Sequence, residues 1–172
     1  TNTVTDFLLL RNSTVVYFDG EQADEAADTI LYANGINVSP DGETVYVASA
    51  LGMSLYIYDR DKETGALTGR DNVRLGTGID NIDVQPDGTL LMGAHPNVIA
   101  FLSHASDPAE LSPSQVVRID PQEKKAGTIY LNLGEEISGI SVAAGYGDKM
   151  LLGQVFQPEV LVCSQSTELK SY

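Results

Sequence analysis

Ala33-Asn34-Gly35-Ile36-Asn37-Val38-Ser39-Pro40-Asp41-Gly42 reads as a short strand running into a Pro-Asp-Gly turn. The Asp-Gly pair supplies the positive φ that a tight hairpin needs, and a Val- and Tyr-rich strand follows at residues 44–49. The same phrase returns as Asp80-Asn81-Ile82-Asp83-Val84-Gln85-Pro86-Asp87-Gly88, followed by a strand at 90–93. A weaker third copy begins Ser138-Gly139-Ile140-Ser141-Val142 and continues through Gly145-Tyr146-Gly147-Asp148 to a strand at 150–155. Residue 80 stands 46 positions after residue 34, and residue 138 stands 58 after residue 80. A period near the first value is that of propeller blades, roughly 40–50 residues each.

Outer strands complete each hairpin: 55–58 and 71–75 after the first, 116–119 and 128–133 after the second. Residues 98–114 form an insertion with an apolar stretch at 98–102, which accounts for the longer second offset. After the third hairpin only 160–163 follows, and upstream 7–10, 14–18 and 29–31 supply material for an earlier blade. The expected fold is therefore all-β: about half of a six-bladed β-propeller, at four strands per blade. Its units are a partial blade at 1–33, blades at 34–79 and 80–137, and a three-stranded last blade at 138–172. Half a propeller leaves open edges and bare blade faces, so a second polypeptide, or the N-terminal half of the same precursor, is expected to complete it.

Composition narrows the partners. A net charge of −14 over 172 residues repels nucleic acid and otherwise reads as solubility. The acidic run 21–28 is expected to be a solvated loop or edge. No apolar run is long enough to span a bilayer. The chain starts at Thr1 rather than Met, as a processed or trimmed product would. Asn12-Ser13-Thr14 and Asn37-Val38-Ser39 match glycosylation sequons; Asn37 falls within a strand, which leaves Asn12 as the candidate. The one cysteine, Cys163, is either a buried thiol or bonded to a cysteine elsewhere.

The copies diverge at the pair opening each inner strand: Asn34-Gly35, Asp80-Asn81 and Ser138-Gly139. Propeller symmetry brings such positions together around the central channel, gathering amide and carboxylate oxygens that suit calcium, with its 6–8 oxygen ligands. Asn and Asp also cap turns ahead of strands, and from the repeat alone both readings stand.

The run 33–42, Asp80-Asn81-Ile82, the Gly93-Ala94-His95-Pro96-Asn97 turn and the ending Leu151-Leu152-Gly153-Gln154-Val155-Phe156 together resemble the C-terminal half of the paraoxonase/arylesterase family. The resemblance implies a secreted, calcium-dependent hydrolase of lactones or aryl esters, with organophosphates as further substrates in some members. It implies Asn34, Asp80 and Asn81 as ligands of Ca2+, the remaining ligands lying in the other half. It also implies pocket positions for Tyr32, Met53, His95, Val155 and Phe156, although His95 reads equally as a turn histidine and the others as blade packing. Cys163 falls where the family pairs a cysteine with one near its N-terminus, which would tie this chain to its missing half in the secretory pathway or outside the cell. Within that reading either a water attacks the ester or Asp80 does so directly. His104, in the polar insertion, is expected to be solvated. Two other readings stand beside it: a non-catalytic propeller used as a binding module, and a hydrolase using Thr1 as nucleophile after maturation cleavage.

Overall fold

A computed structural model describes residues 13–164. Thr1, the strand expected at 7–10 and the glycosylation candidate Asn12 lie outside the described residues. Among the described residues thirteen strands form four antiparallel sheets, accompanied by one helix. β1 (Ser13–Phe18) and β2 (Ala23–Ile30) make a two-stranded sheet, and the acidic run contributes its exposed edge. β3 (Ala33–Val38), β4 (Thr44–Ser49), β5 (Ser54–Arg60) and β6 (Leu67–Arg74) follow in simple up-and-down order. β7 (Gly78–Val84), β8 (Leu90–His95), β9 (Ser114–Asp120) and β10 (Lys125–Asn132) repeat that order. β11 (Ile140–Tyr146), β12 (Lys149–Gln154) and β13 (Val160–Ser164) form the last, three-stranded sheet.

The insertion holds the helix α1 (Val98–Ser106), between β8 and β9. Asn97 caps it with extended backbone, its side-chain oxygen accepting from the Ala100 amide at 3.1 Å. No helix among the described residues is long and apolar enough to cross a membrane.

Consecutive sheets pack face to face, with one apolar cluster in each gap. Val15, Ile30, Val45, Val47 and Tyr58 fill the first. Leu55, Ile57, Ile79, Leu90, Met92 and Ile119 fill the second, and Leu91, Val116, Ile140, Met150 and Leu152 the third. All residues of β4 and of β8 are buried, because each is a middle strand covered on both faces. Burial of each such aliphatic side chain stabilises by about 1.5–3 kcal/mol, so these gaps hold the sheets in sequence order. The result is an all-β propeller, of which this chain supplies about half.

Strands of neighbouring sheets approach one another through glycine. A Cβ on Gly35 of β3 would lie 2.3 Å from the Asp80 carbonyl oxygen and 2.7 Å from the Asn81 Cα, on β7. A Cβ on Gly93 of β8 would lie 2.6 Å from the Ser141 backbone, on β11. Gly127 in β10 faces open space instead. Gly35→Ala is therefore expected to lower unfolding free energy by about 1–3 kcal/mol in chemical denaturation, as overpacking does. Gly127→Ala is expected to leave stability equal or slightly higher.

Candidate functional site

All three inner strands break register at their first residues: Ala33/Ile36 in β3, Ile79/Ile82 in β7 and Ile140/Val142 in β11. Such irregularities turn side chains out of the regular alternation. They fall on Asn34-Gly35, Asp80-Asn81 and Ser141. The third differs from the sequence reading, which put Ser138-Gly139 at that opening. Ser138 precedes β11, and its hydroxyl accepts from the Ser112 amide at 2.8 Å. Ser141 takes the equivalent place because Val142 pairs across to Gly153 just as Ile82 pairs to Met92.

Asp80 is the centre of the site. Its carboxylate is buried at 7 % exposure. The Asn81 amide nitrogen donates to Asp80 Oδ1 at 3.2 Å, and to the hydroxyl and carbonyl oxygens of Ser141 at 2.8 and 3.2 Å. With its nitrogen so committed, Asn81 has its carbonyl oxygen left to offer as an acceptor. Asn34 is exposed, and the residue after it touches the Asp80 and Asn81 backbone. Asn37 is held in β3 with its amide donating to the Ile82 carbonyl at 2.8 Å, as its place within a strand predicts.

His95 ends β8 and is 3 % exposed. Its Nε2 lies 3.3 Å from Asp80 Oδ2, and since a carboxylate only accepts, Nε2 is the donor. Its Nδ1 is buried with no partner. Phe101 of α1 stacks on the ring at 3.8 Å between centroids. Phe101 in turn meets Phe156 at 6.1 Å, so the structure joins Phe156 to His95 through a ring the sequence reading did not single out. The apolar stretch at 98–102 was the available signal; once helical, it turns Phe101 onto His95.

His104 corrects an expectation. It is fully buried, not solvated: Nδ1 donates to the Glu110 carbonyl at 2.6 Å, and the ring edge meets Phe156 at 5.3 Å. A helical turn carries it inward although its sequence neighbours are polar. Tyr32 and Met53 both adopt left-handed backbone, φ 52° and 49°, at the same end of the sheets as Asp80. Val155 is exposed, beyond the end of β12. Cys163 on β13 is a free, half-buried thiol packed against the third apolar gap. Burial first, then the nearby Glu136, pushes its pKa up.

The donor set fits a hard cation in kind. A carboxylate buried with one weak amide donor and one imidazole is poorly compensated, and a cation would offset its desolvation. The set is short in number, since no group of three or more His, Cys, Asp or Glu side chains gathers among the described residues.

A β-propeller with acid and amide oxygens at its blade openings defines the class, and comparison with known proteins supplies the family. Residues 2–164 match the family model described as Arylesterase. Human serum paraoxonase/arylesterase 1 is 36 % identical over 163 residues, 91 % of this chain and 44 % of that protein. Rat serum paraoxonase/arylesterase 2 is 34 % identical over 155 residues, 88 % and 43 %. Human serum paraoxonase/lactonase 3 is 33 % identical over 171 residues, 95 % and 47 %. The chain belongs to the arylesterase family, and it spans about half the length of the curated relatives it matches. Among solved structures, the calcium-binding protein regucalcin from Agrobacterium tumefaciens matches with TM-score 0.57 at 17 % identity, over 87 % of this chain and 48 % of that one. A luciferin-regenerating enzyme matches with TM-score 0.55 at 14 % identity, over 76 % and 40 %. Both show the fold.

The buried setting of His104 has a measurable consequence. His104→Ala leaves a hole beneath Phe156 and Gly139 and strips the Glu110 carbonyl of its donor. Thermal or denaturant unfolding is expected to show a loss of about 2–4 kcal/mol, where a solvated histidine would give almost none.

Proposed function

We propose that this chain is the C-terminal half of a calcium-dependent hydrolase of lactones or aryl esters, with organophosphates as possible additional substrates of the same chemistry. The observation that carries the reading is the poorly compensated Asp80 carboxylate, which accepts from the Asn81 amide nitrogen and lies beside the strand opening at Asn34-Gly35. Asn34, Asp80 and Asn81 would hold Ca2+ from this side, and other ligands come from the complementing half. When bound, the ion supplies Lewis acidity that polarises the ester carbonyl and stabilises developing negative charge.

The chain's own residues have separate tasks. The Ser141 contacts fix the Asn81 amide so that its oxygen needs no reorganisation to serve as a ligand. His95 holds one Asp80 oxygen by hydrogen bond, and Phe101 shields that pair from water. Tyr32, Met53, Val155 and Phe156 would surround the substrate at this end of the sheets. Attack by water is favoured for lactones over direct attack by Asp80, whose Oδ2 already faces the His95 donor.

The segments 1–33, 34–79, 80–137 and 138–172 are assigned to successive blades, and Cys163 to a disulfide with the complementing half. That bond, and the family's secreted members, support an extracellular or secretory location, with Asn12 as a glycosylation site. The alternatives are a non-catalytic binding propeller and catalysis by Thr1, which lies outside the described residues.

The test is chelation of the completed propeller. Aryl-ester and lactone turnover should vanish in EGTA and return with calcium; turnover that persists in EGTA overturns the reading. Asp80→Asn should reduce turnover by at least about 10²-fold, the scale of losing one preorganised electrostatic group. Calcium at about a hundred times its Kd should stabilise the protein by about 2.7 kcal/mol, an increment that Asn34→Ala and Asn81→Ala reduce.

A further inference from the structure

At the Asp80 end of the sheets, but beside the β3–β6 blade, lies a groove of about 300 Å³ bounded by Leu31, Leu51, Gly52, Met53, Arg74 and Gly76. Arg74 closes it as the last residue of β6. We propose that this groove is a binding site for an amphiphilic carboxylate, with the acid group on the Arg74 guanidinium and the apolar body against Leu31, Leu51 and Met53.

The first support is electrostatic. Acids outnumber bases 24 to 10 in this chain, so a described cation has a partner at hand almost everywhere. Lys62, Arg70, Arg118, Lys124 and Lys149 form ion pairs. Arg60 donates to the Gly42 carbonyl and lies over the Tyr17 ring. The Arg74 guanidinium makes no side-chain hydrogen bond or ion pair among the described residues, a condition it shares with Lys125 at the opposite end of the sheets, and it is the basic residue that lines this groove. An arginine kept clear of so many carboxylates leaves its planar fork of donors free for a bidentate acceptor.

The second support is the frame. Met53 and Tyr32 are non-glycine residues in left-handed backbone, which costs about 1–3 kcal/mol each and persists only where the surroundings enforce it. Here they do. The Ser49 hydroxyl donates to the Leu31 carbonyl at 2.5 Å, and the Ala50 amide to the Tyr32 carbonyl at 3.1 Å. The Leu75 amide donates to the Met53 carbonyl at 2.9 Å, and the Ser54 hydroxyl to the Gly52 carbonyl at 2.7 Å. Gly52 packs directly on Ser49, where a Cβ would lie 2.3 Å from the hydroxyl oxygen, and Gly76 turns the chain with φ 71°. The groove thus has hydrogen-bonded walls, with Leu31, Leu51 and Met53 as its apolar lining and Arg74 as its cation, the combination that orients a small amphiphile.

The class of ligand includes the acids that ester and lactone hydrolysis releases, but the site does not rest on that activity. The test is binding, read by amide chemical shifts and calorimetry on the full chain with octanoate and its uncharged methyl ester. Octanoate is expected to shift Leu31, Gly52 and Gly76, and Arg74→Gln to weaken it about tenfold or more while changing methyl octanoate less than about twofold. Leu51→Ser should weaken both. Octanoate binding that ignores Arg74→Gln, shifts confined to the opposite end near Lys125, or no binding at millimolar octanoate would each overturn the proposal. The groove shares Met53 with the proposed substrate end, but none of these binding outcomes depends on calcium or turnover, so failure here is distinguishable from failure of the hydrolytic reading.

Discussion

Two inner strands cannot approach to backbone contact if a side chain stands between them, and this fold removes the side chain where contact is needed. Gly35 lies against Asp80 and Asn81, Gly93 against Ser141, and a Cβ on Gly145 would strike the Gln85 side chain at 2.1 Å. These approaches set the spacing of consecutive blades. The first of them also draws the Asn34-Gly35 opening onto the Asp80-Asn81 opening. The same absence of a Cβ that lets the sheets stack therefore brings the strand openings of two separate blades into backbone contact. The register break at each opening then frees those residues from strict alternation, so Asp80 and Asn81 serve different partners although they are adjacent in sequence.

The two ends of the sheets spend their acidic residues differently. At the Pro-Asp-Gly end, carboxylates cap their own turns. Asp41 accepts from the Ser39 hydroxyl and the Glu43 amide, and Asp120 from the Gln122 and Glu123 amides. Asp61 does the same for Glu63 and Thr64, and these backbone donors hold its pKa below the usual carboxylate range. Much of the negative charge is consumed by turn geometry and attracts no partner. At the opposite end stands Asp80, buried and facing a histidine, with no turn amide to satisfy it. A single carboxylate there carries more chemical meaning than the several at the other end.

The blade repeat was readable because Pro-Asp-Gly and the alternating strands are local devices, each encoded within about ten residues. Asn34, Asp80 and Asn81 stood out for the same reason, as the variable pair in a constant phrase, and the structure sets Gly35 against the Asp80 and Asn81 backbone. What escaped depends on tertiary placement. Ser141 was displaced by two positions because Ser138-Gly139-Ile140 imitates the repeat letter by letter, while the register with β12 is fixed by Val142 opposite Gly153. His104 and Phe101 escaped because the insertion's helix has only about two and a half turns, and which of its faces turns inward is set by Gly139 and Phe156, more than thirty residues away. The β2 strand escaped in part because an exposed edge tolerates the acidic run that reads as a loop.

The outermost sheet shows what kind of surface completes this structure. Along β13, Leu161 and Cys163 pack against the third apolar gap, while Val160 and Val162 point the other way and are 62 % and 57 % exposed. At the far side, Val16 and Phe18 of β1 are similarly bare, at 60 % and 62 %, while Val15 is buried in the first gap. A strand intended to face water would alternate apolar with polar; these alternate apolar with apolar, as the fully buried middle strands do. The residues on both outer faces are thus those of blade interiors. Since the curated relatives are about twice as long, the same packing that joins the four sheets here extends naturally to blades on either side, and closing that ring would enclose the Asp80 end in a channel wall.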